Sequence, residues 1–217
     1  LLVLQQKADL EARCEQVGLR YPKSVIVRSR SDVDVVMAGL RFPIIVKPVQ
    51  PLSKFKTLQP ASHAELAALL ERYGDDLPFL VQEFIPGDDS TICFSALYLD
   101  EGRVLARFDG RKLRSRPLGH TTIAEPLVDD EVFEQTRQFF AGLDLSGPVS
   151  LELKRDEQGQ LWVIEPTVGR TDFWVGLCTA NGVNLPAVEY SHQAGKPVSS
   201  QRQIQASLWF NEDRDPL

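Results

Sequence analysis

The stretch whose reading decides the fold is Val149–Arg170, VSLELKRDEQGQLWVIEPTVGR. Val149, Leu151 and Leu153 alternate with Ser150, Glu152 and Lys154; after the polar Glu157-Gln158-Gly159-Gln160 the chain resumes as Leu161-Trp162-Val163-Ile164-Glu165. Alternation, a glycine-containing turn and a second β-rich run make a hairpin signal. With Gln158-Gly159 as a two-residue loop, Glu157 faces Gln160 and, counting outward, Glu152 faces Glu165. Directly opposed residues share a face with Cβ atoms about 5 Å apart, where like charges repel. The pair is therefore either two solvated acids on an edge hairpin or a clamp for a hard cation such as Mg²⁺, which takes carboxylate and phosphate oxygens together. A three-residue loop with a bulge would shift the register by one and break the pairing.

Outward from the hairpin, the composition is that of an ordinary globular chain: 217 residues, 43% hydrophobic and 25% charged. This is enough for one domain or two small lobes. A formal net charge of −6 argues against a general nucleic-acid binder, which needs a basic footprint. Cys14, Cys93 and Cys178 are far apart with no CxxC, which fits neither a disulfide framework nor a zinc site and suits the reducing cytoplasm. No apolar run approaches the roughly 18 residues of a membrane span, and no signal peptide is evident. The chain opens on Leu1-Leu2-Val3-Leu4 without methionine, as expected of a fragment of something longer.

Taken in order, residues 4–17 read as a helix stopped by Gly18, and residues 24–28 as a short strand. Ser31 is placed to cap a helix through Gly39. Phe42-Pro43-Ile44-Ile45-Val46-Lys47-Pro48 reads as a buried strand whose exit lysine either snorkels to solvent or aims at an anion. Ser62-His63-Ala64-Glu65 is a capping box opening a helix to about Gly74. Strands are expected at 79–84, 91–99 and 104–109, the last two joined by a turn at Asp100-Glu101-Gly102-Arg103. The densest basic run, Arg111-Lys112-Leu113-Arg114-Ser115-Arg116, reads as a solvated loop, with His120 exposed just beyond it. Asp129 starts a helix to about Gly142, 167–172 is a loop, 173–180 and 184–195 are helical, and 204–210 holds one more strand. Antiparallel strand pairs with separate helices give an α+β fold, with a small lobe over residues 1–84 and a larger sheet over 85–217.

A lysine closing FPIIVKP, an acidic hinge in VQEFIPGDD, and two carboxylates thirteen residues apart in LEL…VIEPTVGR come in an order that resembles the ATP-grasp superfamily. Within it, the nearest likeness is to carboxylate–amine ligases of the D-aspartate-ligase and carbamoyl-phosphate-synthase type, over roughly Lys7 to Gly195. The resemblance implies ATP and Mg²⁺ held between two antiparallel lobes. Lys7 and Lys47 would reach the phosphates; Gln82, Glu83, Phe84 and Ile85 would meet adenine, and Asp88 or Asp89 the ribose. Glu152 and Glu165, with Thr167, would hold metal, while Arg170 and the Arg111, Lys112 and Arg114 cluster would hold the carboxylate substrate and acyl phosphate. The implied partners are a small-molecule carboxylate and an amine, with no nucleic acid and no membrane; pairing into a homodimer is left open.

The chain departs from the family pattern in three places. Pro48–Leu58 holds no glycine and carries Lys54 and Lys56 instead; Thr167 stands where asparagine often follows the second carboxylate; and Arg170 arrives one residue late. The usual preceding α/β domain is expected to be absent from this chain. The leading reading is ATP-dependent activation of a carboxylate as an acyl phosphate for attack by an amine. The alternatives are an ATP-binding module without ligase turnover and an interaction domain that binds no nucleotide.

Overall fold

The computed structural model describes residues 9–49, 54–55, 57–116, 121–172, 174–213 and 215. Lys7, Lys56 and His120 lie outside the described residues.

Two antiparallel sheets organise the chain. The smaller has the order β1–β3–β2, built from β1 (Ser24–Val27), β2 (Ile44–Pro48) and β3 (Phe79–Glu83). Period-two alternation on β2 buries Ile44 and Val46 and leaves Ile45 and Lys47 on the other face. Helix α2 (Val33–Gly39) and helix α3 (His63–Tyr73) cover the apolar face, where Val36, Leu40, Leu66 and Leu70 pack on Val27, Phe79 and Val81. Ser62 caps α3 by accepting from the Glu65 backbone N–H at 3.3 Å, as the capping box predicts. The expected Ser31 cap is displaced. Asp32 accepts from the N–H groups of Arg28 and Ser29 and closes a 3₁₀ turn over Arg30–Asp32, so the helix starts only at Val33.

The larger sheet has the order β8–β7–β4–β5–β6–β9. Its strands are β4 (Ile92–Asp100), β5 (Arg103–Ser115), β6 (Thr121–Pro126), β7 (Gly147–Arg155), β8 (Leu161–Val168) and β9 (Trp209–Phe210). β4 is central and buried on both faces, which is why ICFSALYL reads as a continuous apolar run rather than an alternation. On one face helix α1 (Leu10–Val17) and helix α4 (Asp130–Phe140) pack Leu10, Cys14 and Phe139 onto Leu97, Leu151 and Val163. Helix α5 (Val175–Ala180) and helix α6 (Leu185–Gln193) pack Trp174, Leu177 and Val188 onto Phe94, Tyr98 and Phe108 on the other. Helix α1 falls within residues 1–84 in sequence, yet it belongs to this core. Arg13 donates to the carbonyls of Phe139 (2.9 and 2.6 Å) and Ala141 (2.7 Å), placing a cation on the C-terminal end of α4.

Two sequence expectations change here. The basic run is not a loop: β5 continues through Ser115, because neighbouring segments supply a carboxylate for each of three cations. Arg111 meets Glu125 at 2.5 Å, Lys112 meets Glu152 at 2.8 Å and Arg114 meets Asp215 at 2.6 Å. The tail forms only a two-residue strand on β6. Its preceding segment is instead tied down by Asn181, whose side chain accepts from Ala206 and Ser207 N–H and donates to the Ser207 carbonyl.

Candidate functional site

The β7–β8 hairpin reaches its expected pairing by an unexpected route. Its loop is three residues, not two: Arg155 pairs with Leu161, the Asp156 N–H donates to the Gln160 carbonyl at 2.9 Å, and Gly159 adopts φ +79°. Glycine at that last loop position is what a three-residue hairpin demands. The Asp156 carboxylate fixes the loop by accepting from Gln158 and Gln160 N–H and from the Trp162 indole N–H. Such a loop would by itself set Ile164 opposite Glu152. A bulge between Val163 and Glu165 absorbs Ile164 as an extra residue, and Glu152 faces Glu165 after all. The bulge also brings Ile164 and Glu165 to line the same cleft.

That cleft, of about 420 Å³, lies between the two sheets and falls in the size range of small-molecule sites. The small sheet contributes Ile45, Lys47, Gln82 and Glu83; the connection out of β3 contributes Phe84, Ile85, Asp88 and Asp89. The large sheet contributes Lys112, Glu152, Lys154 and Glu165. Ile45 and Gln82 are direct cross-strand partners, so both project to this side of the small sheet. The Gln82 amide is occupied, donating to the Ser24 hydroxyl at 3.0 Å, which leaves the segment's backbone and the rings and aliphatics of 84–85 as its means of contact. Asp88 accepts from Ser90 N–H and hydroxyl, and Asp89 accepts from Ser115 N–H at 2.6 Å, so the turn after the hinge is pinned to the end of β5.

Lys47, Gln82, Glu83, Phe84, Ile85, Asp89, Glu152 and Glu165, all named from the sequence, line this one cleft. Four other sequence-predicted residues do not line the cleft, the first being Arg111, which is paired with Glu125. Arg114 is paired with Asp215, and Arg170, with a side chain 69% exposed, stands 3.7 Å from Asp172. The Thr167 hydroxyl donates to Asp172 at 3.2 Å, and Ser150, its cross-strand partner, donates to the other oxygen of the same carboxylate. Asp172 is the buried acid that organises this corner, and burial pushes its carboxyl up.

Lys154 is a site residue that the sequence reading passed over. Its ammonium donates to the Gly87 carbonyl at 2.7 Å and sits 4.8 Å from the Phe84 ring centroid. The signal was present, since Lys154 lies two residues beyond Glu152 on one strand and so shares its face. Burial holds the Lys154 ammonium below the usual lysine range, against the pull of Asp89 and Asp88. Burial raises the Glu152 carboxyl; Lys112 opposes that rise, and Glu165 and Asp172 add to it.

Among the described residues no group of three or more His, Cys, Asp or Glu is gathered to hold a metal ion by itself. Two opposed glutamates are hard oxygen donors, and they fit a cation that arrives with further oxygen ligands, as nucleotide-bound Mg²⁺ does. The cations and apolar walls of the cleft fit the triphosphate and base of such a ligand.

The chain matches no protein-family model. It is 28% identical over 204 residues to a D-aspartate ligase of Enterococcus faecium (strain Aus0004), covering 84% of this chain and 48% of that protein. It is 26% identical over 172 residues to a D-alanine–D-alanine ligase of Pseudomonas entomophila (strain L48), covering 73% and 53%. The chain therefore spans about half the length of the curated relatives it matches. Among solved structures it superposes, with a TM-score of 0.75 and 14% identity, on the biotin carboxylase domain of the Hydrogenobacter thermophilus 2-oxoglutarate carboxylase in complex with MgADP, covering 97% of this chain and 49% of that one. The chain thus has the ATP-grasp fold and is similar in sequence to ligases named for D-aspartate and for D-alanine–D-alanine.

Proposed function

We propose that this chain is the nucleotide-binding core of an ATP-dependent ligase that activates a carboxylate as an acyl phosphate and passes it to an amine, releasing ADP and phosphate. The observation that carries the reading is one cleft with Lys47 and the 82–85 hinge on one wall and the Glu152–Glu165 pair on the other. A small lobe within residues 1–84 and a large lobe over 85–217 would close on the nucleotide, with α1 moving as part of the large one. In this reading the backbone of Gln82–Ile85 meets the adenine edge, Phe84 or Ile85 packs on its face, and Asp89 is placed for ribose. Lys47, joined by Lys7, neutralises phosphate charge, and Glu152 and Glu165 hold Mg²⁺. When bound, the ion stabilises charge on the transferring phosphoryl group. The chain's own task is positioning and electrostatic complementarity, so no nucleophilic side chain is needed. Arg114 and Arg170 are not carried forward as substrate ligands, because each has a carboxylate neighbour away from the cleft. Three buried free cysteines suit a reducing compartment, and we place the protein in the cytoplasm.

The test has two steps. MgATP at 100 times its dissociation constant is expected to stabilise the native state by about 2.7 kcal/mol, a rise in midpoint of roughly 5–10 °C for a chain of this size. ADP release should then depend on a carboxylate and an amine supplied together from an amino-acid panel. One observation favours a second reading, ATP binding without turnover: Thr167 is engaged with Asp172 and not turned to the metal pair. Stabilisation by MgATP with no substrate-dependent ADP release would select that reading, and no stabilisation at all would reject both.

A further inference from the structure

Two carboxylates face each other on β7 and β8, but they are not equivalent. Glu165 is exposed, whereas the side chain of Glu152 is only 17% exposed and its Oε2 accepts from Lys112 Nζ at 2.8 Å. Lys112 is itself held: its side chain is 10% exposed, it extends from the continuous strand β5, and its ammonium lies 5.7 Å from the Trp174 ring centroid. Trp174 is in turn stacked on Phe94 at 4.3 Å, and Phe94 is the cross-strand partner of Glu152. A third acid, Asp172, is close enough to act electrostatically on Glu152 and to be acted on by Lys112. The ammonium is therefore paired directly with Glu152 and acts at longer range on Asp172, as a compact point charge where a cation is required.

We infer that Lys112 is a built-in counter-cation of the acidic hairpin, so that the site loads one divalent cation per nucleotide, held between Glu152 and Glu165, with Lys112 in the place of any second ion. This rests on the nucleotide-binding reading above and deepens it. A metal bridging to Glu152 Oε2 would lie close to an ammonium already bonded to that oxygen. Like charges held that close repel, and a divalent ion doubles the repulsion. Thr167, the residue that could have supplied a further oxygen, is bonded to Asp172. Among the described residues, the Glu152 oxygen nearest Lys112 and the Thr167 hydroxyl are therefore both already bonded. Lys112 acts here as a positioning residue, fixing which Glu152 oxygen is presented to the metal.

The test counts metal directly. Mn²⁺ is titrated into the protein with a non-hydrolysable ATP analogue, free Mn²⁺ is read by electron paramagnetic resonance, and analogue binding is followed separately by calorimetry. The wild-type chain is expected to hold one Mn²⁺ in all per bound analogue. Lys112→Met is expected to take up a second ion, its analogue affinity rising about tenfold as Mn²⁺ is raised where the wild type has levelled off; Lys112→Arg, which keeps the charge, stays at one. Two ions in the wild type, or one ion with unchanged Mn²⁺ dependence in Lys112→Met, would overturn the inference. If Lys112→Met does not fold, the wild-type count and Lys112→Arg decide it, two ions in either being the contrary result. Failure of the analogue to bind with or without Mn²⁺ would instead overturn the nucleotide reading, and this inference with it.

Discussion

The two sheets bring charge to the cleft in opposite ways. The three-stranded sheet is an apolar frame in which the ionic contributions, Lys47 and Glu83, come from strand ends at the rim. The six-stranded sheet buries charge within itself: Asp109, Lys112 and Lys154 are all nearly inaccessible, and each is bonded to a partner inside the protein. A buried charge is tolerable only when paired, because desolvation otherwise costs several kcal/mol. The large sheet's site is therefore part of its fold, whereas the small sheet's site rests on a fold that is complete without it. Substitutions on the first should move stability and affinity together, and substitutions on the second affinity alone.

Glu152→Gln should break that rule least and have the largest effect. The amide oxygen can still accept from Lys112, and the desolvated charge that burial disfavours is gone, so unfolding in urea at neutral pH should show a gain of about 1 kcal/mol. The metal-dependent part of nucleotide affinity should fall about 100-fold. The pH profile adds a sign. Burial raises the folded carboxyl above its ordinary value of 4.5, so on acidification Glu152 takes its proton earlier than an unperturbed glutamate. Metal-dependent affinity in the wild type should then begin to fall at a pH above 4.5. For stability the direction is reversed: the folded state holds this proton more tightly, so its contribution is present below 4.5 and lost as pH rises through the folded pKa. Glu152→Gln should erase that segment of the stability curve; a variant that kept it would show another group to be its source.

How much of this could be read beforehand follows the same division. The small-sheet rim was legible because each feature is local: an apolar strand, a lysine at its exit, a capping box at α3. The carboxylate pairing was predicted, but with a two-residue loop and no bulge; the three-residue loop and the extra Ile164 cancel in register. Counting outward cannot distinguish those two routes. The basic run was misread because its ion-pair partners are remote in sequence: Lys112 is 40 residues from Glu152 and Arg114 is 101 from Asp215. A charge run looks like a solvated loop until the carboxylates that neutralise it are placed beside it. Asp172 was hidden for a related reason, since its role comes from Ser150, 22 residues away on β7, as much as from its neighbour Thr167.

On the small-sheet side, Lys47→Ala is the sharper test of separability. Lys47 is partly exposed at the end of β2, so the stability change should stay within about 0.5 kcal/mol. Loss of a charge-assisted bond to phosphate, about 1.5–3 kcal/mol, should weaken ATP binding by roughly 10- to 150-fold. Calorimetry against urea unfolding on the same samples separates the two. A stability change as large as that of Glu152→Gln would mean that the small sheet also builds its charge into its core.

The smallest effect is expected at Lys154, where the two kinds of charge meet. It belongs to β7 of the large sheet, yet its ammonium bonds the Gly87 carbonyl in the connection leading out of the small one. Gly87 has φ +116°, and a Cβ there would meet the Thr91 hydroxyl at 2.8 Å and the Lys154 side chain at 3.4 Å, so the close approach is built on that glycine. The bond gained is a charged hydrogen bond, and the cost is visible in the lowered Lys154 pKa, which desolvation drives down against Asp89 and Asp88. The two terms oppose each other. Lys154→Met keeps the length of the side chain, relieves the desolvation and gives up the bond, so stability should move by less than about 1 kcal/mol. ATP affinity should change by no more than about fivefold, through a looser Phe84–Asp89 segment and not through lost phosphate contact. A change as large as that of Lys47→Ala would show that Lys154 contacts the nucleotide itself, and the division between a rim that binds and a core that supports would then have to be redrawn through β7.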